Sequence, residues 1–318
     1  MKICLISFDY WGFDHYIIEE LKKKGIEANH INLNNFKYTY SNVFIRIANG
    51  FSKVFLNTNI KRVKKQNFVL NNLEKLGYQD IILTIRPDLL DKKTHKIIKK
   101  STDRYIAYLY DSTKRFPVKH LSKGIFDDIF SFDREESNYY NFKRITNYIY
   151  LPKKEINETK SYKNLIFMVI SKDERLKTLN FISQKLDDLN INYKFIVKSN
   201  KNLSWINPKI EITKEDIGFE QMKKLIEDSK IMMDISRSEN IGLSFRFFES
   251  LAYQKKIITT NQSVKRYAFY DPNNILVINP ENPEIPKSFF ETAYKPLAEE
   301  IYNKYTIDNW VKTVFSLE

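Results

Sequence analysis

Residues 231–261 read IMMDISRSENIGLSFRFFESLAYQKKIITTN, and this stretch decides the fold prediction. An apolar run from Ile231 to Ile235 ends in a polar loop, and helix-like sequence follows from Gly242 to Ala252. A second apolar and β-branched run comes next, from Lys256 to Thr260. A strand, a helix and another strand at this spacing indicate a βαβ unit, in which the two strands lie parallel in one sheet.

The same alternation continues outward from this unit through both halves of the chain. Strands are predicted at Lys2–Phe8, Ile26–Leu33, Asp80–Ile85, Tyr105–Tyr110, Asp128–Phe132, Leu165–Ile170, Tyr193–Val197 and Ile275–Ile278. Helix-like segments separate them, among them Val43–Leu56, Ile60–Leu76, Thr94–Lys100, Arg175–Leu189, Phe219–Ser229 and Pro286–Tyr302. The pattern predicts an α/β protein with two Rossmann-like, doubly wound parallel-sheet domains facing a cleft.

The boundary between the two predicted domains falls where the alternation stops. After Leu151-Pro152 the chain becomes polar and lysine-rich from Lys153 to Lys163, and then a new strand begins. The chain has 318 residues, which suits two domains of about 150 residues each. We therefore predict domains at 1–152 and 153–318, with the last helices as candidates for packing back on the first domain.

The composition excludes several classes of protein. With 7 glycines in the chain, neither the dinucleotide fingerprint G-x-G-x-x-G nor the Walker phosphate loop occurs. Cys4 is the single cysteine and the four histidines are scattered, so no metal and no cofactor are expected. The longest apolar stretch, Leu165 to Ile170, is far too short to span a bilayer. We expect a cytoplasmic protein, at most peripheral at the inner face of the membrane.

The net charge of +13 is distributed unevenly. Residues 1–152 contain 26 Lys and Arg against 16 Asp and Glu, whereas residues 153–318 contain 26 against 23. A basic surface of this kind attracts phosphates, nucleic acid or anionic membranes, although a lysine-rich surface that is merely solvated is an equal alternative. Phe44, Phe51 and Phe55 lie among the basic residues of the first half.

Residues 242–252 carry the chemistry of the second predicted domain. The helix that opens at Gly242, Leu243 and Ser244 would present backbone N–H groups and a positive dipole end to a diphosphate. Arg246 adds a forked cationic donor, and Glu249 is suited to accept hydrogen bonds from two ribose hydroxyls. The alternative is an exposed Arg246–Glu249 ion pair beside a buried stripe of Phe245, Phe248 and Leu251.

These residues resemble the donor-site signature of GT-B glycosyltransferases. The resemblance is strongest from Gly242 to Ala252 and from Lys255 to Asn261. Within the family, these segments look most like those of members that act in lipopolysaccharide and capsule biosynthesis. Further similarities cover most of the chain, at Ile85–Asp88, Tyr108–Ser112, Phe126–Asp133, Tyr267–Tyr270, Asn273–Ile275 and Tyr305–Trp310.

The resemblance implies transfer of a sugar from a nucleotide-sugar donor to a saccharide or lipid-linked saccharide acceptor, with no obligatory metal. The second domain would hold the nucleotide, and the first the acceptor. Glu249 matches the ribose-binding glutamate, and Gly242 to Ser244 match the phosphate-facing turn. Lys172 and Arg175 fall where the family often places diphosphate-binding cations, and Arg237 completes the predicted donor-binding set.

One feature departs from the family pattern. Many retaining members carry two glutamates seven residues apart, which would put the first at Ile241, whereas Glu239 lies two positions earlier. The stereochemistry therefore stays open.

An inverting reaction needs a base that takes the proton of the acceptor hydroxyl. Asp14 and His15, in the loop after the first strand, are the first candidates, with Asp9 and Asp111 behind them. Capping of the helix that starts there is an equal alternative for Asp14, and His15 is more typical of a surface or packing residue. In a retaining reaction the donor phosphate would assist instead.

Three partner classes follow from these observations. We expect a nucleotide-sugar donor and a glycan or lipid-linked glycan acceptor, and we treat contact with an anionic membrane as a hypothesis. We expect no nucleic acid, because RRM, KH and helix-turn-helix signatures are absent. A nucleic-acid-binding protein that uses the basic first half, and a sugar-nucleotide epimerase of the same fold, remain the alternatives.

Overall fold

A computed structural model describes residues 1–37, 60–118, 120–121, 124–156, 161–237 and 242–318. The helix predicted at Val43–Leu56, with Phe44, Phe51 and Phe55, lies outside these ranges. The chain divides into two compact units, one of residues 1–145 with 311–318 and one of residues 146–310. We call them unit 1 and unit 2. No helix within the described ranges is both long and apolar enough to cross a bilayer.

Unit 1 is built on a parallel six-stranded sheet. Its strands are β1 (Lys2–Ser7), β2 (Glu27–Asn32), β3 (Gln79–Ile85), β4 (Thr102–Leu109), β5 (Asp128–Ser131) and β6 (Lys143–Arg144), in the order β2-β1-β3-β4-β5-β6. The helices that connect them are α1 (His15–Lys23), α2 (Ile60–Leu76), α3 (Lys92–Lys99) and α4 (Arg134–Tyr140). Residues 3–6 of β1 are fully buried because this strand lies inside the sheet, between β2 and β3.

Unit 2 also has a parallel six-stranded sheet. Its strands are β7 (Asn164–Ser171), β8 (Tyr193–Lys198), β9 (Glu211–Thr213), β10 (Ser229–Asp234), β11 (Lys256–Thr259) and β12 (Ile275–Val277), in the order β12-β11-β10-β7-β8-β9. The flanking helices are α5 (Leu176–Asp188), α6 (Phe219–Glu227), α7 (Phe245–Ala252), α8 (Ser288–Glu291) and α9 (Glu299–Asn303). A last helix, α10 (Ile307–Phe315), ends the chain. The two parallel sheets with flanking helices confirm the predicted α/β class with Rossmann-like domains.

The strand orders fix where ligands are expected in each unit. In unit 1 the order reverses between β1 and β3, and in unit 2 it reverses between β7 and β10. Chain connections leave opposite faces of the sheet at such a point, so a crevice opens beyond the carboxyl ends of the two strands. The candidate ligand-binding residues are therefore those that follow β1 and β3 in unit 1 and β7 and β10 in unit 2.

Two sequence predictions need correction. The helix predicted at Pro286–Tyr302 is broken into α8 and α9, since Pro296 disfavours a helical Lys295 and lacks the N–H that a helix needs. Asn274 instead binds Lys295 through both its side-chain amide nitrogen and its oxygen, at 2.7 and 2.9 Å. The helix predicted to open at Gly242 begins at Phe245, with Ser244 extended before it.

A chain of buried hydrogen bonds lies under the β3–β4 edge of unit 1. His95 Nε2 donates to the Pro87 carbonyl at 2.8 Å, so its Nδ1 accepts from the Tyr105 hydroxyl at 2.7 Å. Thr84 then donates to the Tyr105 oxygen at 2.9 Å. Burial lowers the pKa of His95, which keeps the ring neutral for these roles. The network fixes the turn that follows β3.

Replacement of Tyr105 by Phe removes the central hydroxyl of this chain. Thr84 and His95 Nδ1 are then buried without a partner, so we expect the free energy of unfolding to fall by about 1–3 kcal/mol. Urea denaturation measures the loss. Tyr139→Phe is the matched control, because the Tyr139 side chain is 79% exposed. Equal unfolding curves for the two variants would contradict the role given to the network.

Candidate functional site

A buried carboxylate organises the carboxyl end of β10 in unit 2. Asp234 Oδ1 accepts hydrogen bonds from Ser244 Oγ at 2.7 Å and from Arg246 Nη1 at 3.3 Å. Its Oδ2 accepts from Thr259 Oγ1 at 3.4 Å. Arg246 Nη2 also donates to the carbonyl of Val169 in β7. Asp234 thus joins the start of α7 to β10 and β11, and Arg246 extends the connection to β7.

Two asparagine side chains hold the loop before α7. Asn261 Nδ2 donates to the Gly242 carbonyl at 3.2 Å, and Asn147 Nδ2 donates to the Leu243 carbonyl at 2.9 Å. Ser244 makes no side-chain cap for the helix, because its hydroxyl is directed to Asp234. A helix start without a side-chain cap, with its carbonyls engaged elsewhere, is an environment that favours an anion.

Glu249 lies in the middle of α7 and is only 7% exposed. Its Oε1 accepts a hydrogen bond from the Tyr150 hydroxyl at 2.5 Å. Burial raises the pKa of Glu249, and the hydrogen bond from Tyr150 and the charge of Arg246 oppose that rise. An exposed ion pair between Glu249 and Arg246 is therefore the wrong description of this helix, since Arg246 pairs with Asp234 instead.

Asp173 gathers two of the predicted cations at the switch point of unit 2. Its carboxylate accepts from Arg175 Nε at 2.9 Å and Nη2 at 2.7 Å, and from Arg237 Nη2 at 2.8 Å. Arg175 Nη1 also reaches the Ile235 carbonyl at 3.3 Å. Burial would raise the pKa of Asp173, but the two guanidinium groups hold it below its usual value. The loops after β7 and β10 are joined through these contacts.

The structure thus places the predicted donor residues as follows. Arg175 and Arg237 meet on Asp173. Lys172 directly follows β7, and its side chain is exposed. Gly242 and Leu243 are buried in the loop that the asparagines hold. Arg246 is engaged by Asp234, so a phosphate would compete with that carboxylate for it. Glu239 and Ile241 lie outside the described residues.

In unit 1, Asp9 takes the role that the sequence offered to Asp14. Asp9 Oδ2 accepts from the backbone N–H of His15 at 3.0 Å, and the N–H groups of Gly12 and Asp14 also donate to its carboxylate. Asp9 therefore satisfies the start of α1. Asp14 makes no capping hydrogen bond, although it occupies the position before the helix. Its carboxylate is available for another role.

Asp14 is 5% exposed and lies beside a second carboxylate. Burial and the charge of Asp9 raise the pKa of Asp14 to about 7. Ser7 donates a hydrogen bond to Asp14, and its Oγ lies 2.8 Å from His30 Nε2. Because a hydroxyl has one hydrogen, His30 must donate to Ser7. The pKa of His30 is lowered to about 4, mainly by burial, so the ring is neutral and able to do so.

The other two predicted catalytic residues are committed to partners. His15 Nε2 lies 3.0 Å from Glu19 Oε1, and both side chains are largely exposed. Asp111 accepts from Ser112 N at 2.9 Å and pairs with Arg115 Nη1 at 2.5 Å. Asp14 is thus the one of the three whose surroundings favour proton transfer near neutral pH.

Several residues of these sites were missed by the sequence analysis. Tyr150 and Asp234 contact residues that lie 99 and 10–12 positions further along the chain, and Asp173 contacts both the nearby Arg175 and the distant Arg237. His30 is one of four histidines scattered along the sequence, so its position there gives no signal. The available sequence signal for Asp173 is its place in the loop after a predicted strand. It is the second residue after the end of β7.

Within the described ranges, no group of three or more His, Cys, Asp or Glu side chains is arranged to hold a metal ion. The absence of a metal from the proposed chemistry stays a prediction.

Comparisons with known proteins bear on the fold. No protein-family model matches the sequence, and no curated protein sequence matches it. Among solved structures, the catalytic domain of starch synthase IV from Arabidopsis thaliana, bound to ADP and acarbose, is similar over 100% of this chain and 96% of its own, with 10% identity and a TM-score of 0.51. The UDP-GlcNAc 2-epimerase of Methanocaldococcus jannaschii is similar over 99% of this chain and 100% of its own, with 13% identity and a TM-score of 0.50. At these identities the likeness shows the fold, which is of the GT-B type with two Rossmann-like domains.

The raised pKa of Asp14 predicts a pH-dependent stability. The native state holds the Asp14 proton up to a pH of about 7, whereas the unfolded chain releases it near 3.8. The stability that this proton provides is therefore lost as the pH rises through that window. Asp14→Asn cannot titrate, so its free energy of unfolding should rise relative to wild type by on the order of 2–4 kcal/mol between pH 4 and 8.

Denaturation curves at several pH values measure this difference. Glu74→Gln, at an exposed position on α2, is the control and should follow wild type. A constant difference between Asp14→Asn and wild type across the range would show that Asp14 is ionised throughout.

Proposed function

We propose that the protein is a glycosyltransferase that moves a sugar from a nucleotide-sugar donor to a glycan or lipid-linked glycan acceptor. Unit 2 holds the donor, and unit 1 holds the acceptor and the base. The observation that carries the proposal is the set of cations fixed at the switch point of unit 2, beside a helix that carries a buried glutamate. The GT-B fold also serves epimerases, so the fold alone does not decide the reaction.

The donor side is supported by complementary charge. A nucleoside diphosphate carries two or more negative charges, and Lys172, Arg175 and Arg237 provide three positive charges against the one of Asp173. The start of α7 adds the positive end of its dipole. Glu249, held by Tyr150 through Oε1, retains a second oxygen that accepts no hydrogen bond from a described residue. That oxygen suits a ribose hydroxyl.

The acceptor side is supported by Asp14. In the proposed step, Asp14 removes the proton of an acceptor hydroxyl while that oxygen forms a bond to the anomeric carbon of the donor sugar. The bond from that carbon to the diphosphate breaks, and the nucleoside diphosphate leaves with the electron pair. Ser7 and His30 orient the carboxylate in its ionised form, and the cations of unit 2 offset the charge that develops on the leaving group.

The biological setting of the proposal comes from the sequence resemblance. It favours a metal-independent enzyme that extends a bacterial surface polysaccharide of the lipopolysaccharide or capsule type, working in the cytoplasm or peripherally at the inner face of the membrane. Starch synthase IV, which shares the fold, has been solved with ADP and acarbose. The ligands proposed for this chain belong to the same two classes, a nucleotide and a saccharide.

A sugar-nucleotide epimerase is the second candidate, because one of the fold neighbours is a UDP-GlcNAc 2-epimerase. The two candidates differ in their need for an acceptor. An epimerase converts or cleaves the nucleotide-sugar alone, whereas the proposed transferase releases nucleoside diphosphate at an appreciable rate only when an acceptor hydroxyl is present.

We expect one of UDP, GDP, CMP, dTDP and ADP to raise the melting temperature of the wild-type protein, because a ligand that binds the native state stabilises it. Glu249→Ala removes the ribose contact and should abolish the shift. Differential scanning fluorimetry with all five nucleotides makes the measurement and identifies the base.

Glu220→Ala is the matched control, since Glu220 lies on α6 of the same unit and its side chain is 81% exposed. It should keep the full shift. If no nucleotide stabilises the wild type, or if Glu249→Ala keeps the shift, the donor site assigned to unit 2 is wrong. The first outcome would favour a nucleic-acid-binding protein.

Once donor and acceptor are known, activity should depend on the ionisation of Asp14. The rate of nucleoside diphosphate release should rise with pH and level off above about 7, where the pKa of Asp14 lies. Asp14→Asn should lower kcat by about 100-fold or more, in keeping with the loss of a general base. A variant that keeps its activity would show that another group, such as the donor phosphate, takes the proton.

A further inference from the structure

Two exposed aromatic side chains lie in the loop between β1 and α1 of unit 1, the loop that also carries Asp14. Tyr10 and Trp11 are each 47% exposed, and their rings are in edge contact, with centres 5.0 Å apart and planes at 88°. Among the described residues with large, exposed apolar side chains, they are the one pair of sequence neighbours. We call them the aromatic pair. Single exposed apolar residues are common on protein surfaces, whereas two rings in contact form a small patch.

The aromatic pair is connected to the core of unit 1. Tyr10 stacks on Phe8, with ring centres 6.2 Å apart and planes inclined by 8°, and Phe8 packs against the buried core. The Tyr10 N–H donates to the Phe8 carbonyl at 3.0 Å. On the other side of the pair, the N–H of Gly12 donates to the carboxylate of Asp9. Contacts before and after the pair therefore fix the course of the backbone that carries it.

Polar groups lie in the same loop as the aromatic pair. Asp14 follows Trp11 by three residues, and Ser7, the last residue of β1, donates a hydrogen bond to it. The loop lies beyond the carboxyl end of β1, where the strand order of unit 1 reverses and a ligand is expected. Ligand sites combine apolar walls with a few polar groups that fix the orientation of the ligand. This loop provides both.

The size of the patch limits the kind of partner that it fits. A buried Trp or Tyr covers about 150–250 Å², so two rings that are about half exposed offer on the order of 200 Å². A stable protein interface needs about 800 Å² on each partner. A pyranose ring matches the smaller area, because the C–H groups on one face of the sugar pack against the negative face of an aromatic ring. Its hydroxyl groups, which lie around the rim, stay available for hydrogen bonds.

We propose that Tyr10 and Trp11 form a stacking platform for a sugar ring of the acceptor saccharide. The inference deepens the proposed function and rests on it for the role of that sugar as acceptor, whereas the saccharide site itself rests on the geometry of unit 1. A saccharide held on the aromatic pair brings its hydroxyl groups to the loop that carries Asp14, where the proposed mechanism requires one of them.

Tryptophan fluorescence tests the platform, because the three tryptophans of the chain differ in exposure. Trp11 is 47% and Trp205 is 54% exposed, whereas Trp310 is 3% exposed. In the variant Trp205→Phe, acrylamide therefore quenches Trp11 far more than Trp310. We expect maltotriose, triacetylchitotriose or lactose to reduce this quenching, since a stacked sugar covers the indole ring. Mannitol, a polyol without a ring, is the control and should leave the quenching unchanged.

Isothermal calorimetry with the saccharide that protects Trp11 most measures the contribution of the ring. Trp11→Ala should weaken binding about tenfold or more, and Trp11→Phe should weaken it less, because it keeps an aromatic face. Trp205→Ala is the matched control, since Trp205 is similarly exposed but belongs to unit 2, and it should bind as wild type does. Melting curves check that the variants fold, and the quenching experiment leaves Trp11 itself unchanged.

Four results would overturn the inference. They are no protection of Trp11 by any of the three saccharides, equal protection by mannitol, unchanged binding in Trp11→Ala, and equal weakening in Trp205→Ala. Sedimentation with phosphatidylcholine vesicles adds one more arm. Vesicle binding that Trp11→Ala abolishes, without protection by a saccharide, would assign the aromatic pair to a membrane surface instead.

Failure of the inference can be distinguished from failure of the proposed function. If a nucleotide stabilises the wild type through Glu249 but no saccharide protects Trp11, the donor site stands and the platform falls. If a saccharide protects Trp11 but no nucleotide binds the protein, the saccharide site stands and the glycosyltransferase proposal falls.

Discussion

The carboxylate of Asp234 is the constraint on which the candidate donor site depends. It is buried at the end of β10 and receives hydrogen bonds from the residue before α7, from the first turn of α7 and from β11. Burial of an ionised carboxylate without such partners would lower the stability of the fold, because the lost hydration would not be replaced. They set the position of α7, and through it the place of Glu249 and the loop at Gly242 and Leu243.

Buried or half-buried carboxylates have the same organising role elsewhere in the molecule. Asp173 joins the loops after β7 and β10 through Arg175 and Arg237, and Asp9 gathers the backbone N–H groups at the start of α1. Asp173 connects two loops that are distant in sequence, whereas Asp9 binds N–H groups of the loop and helix start that follow it. Arg175 and Arg237 are candidates for ligand contact, and Asp173 holds them in place without contacting the ligand itself. Such supporting contacts keep a binding site rigid in the absence of its ligand.

The sequence predicts the fold well because the signals for it are local. Buried parallel strands appear as apolar runs, which predict β1, β3, β4, β7, β10 and β11, whereas the short edge strands β6 and β9 lack such runs and are not predicted. The site was predicted less completely. Strand ends marked Asp14, Arg175 and Arg237, but the partners Asp173, Tyr150 and Ser7 act through tertiary contacts that spacing does not encode. The sequence also leaves open whether Asp14 caps α1. In the structure the Asp9 carboxylate accepts the N–H groups at the start of that helix, and Asp14 makes no capping hydrogen bond.

The central claim is that a nucleotide binds at the switch point of unit 2. Hydrogen–deuterium exchange, with and without the nucleotide that stabilises the protein most, tests it directly. With nucleotide bound, we expect slower exchange at residues 171–175, 235–237 and 242–252, and unchanged exchange in the loop after β1 of unit 1. Protection confined to unit 1, or no protection with any of UDP, GDP, CMP, dTDP and ADP, would contradict it.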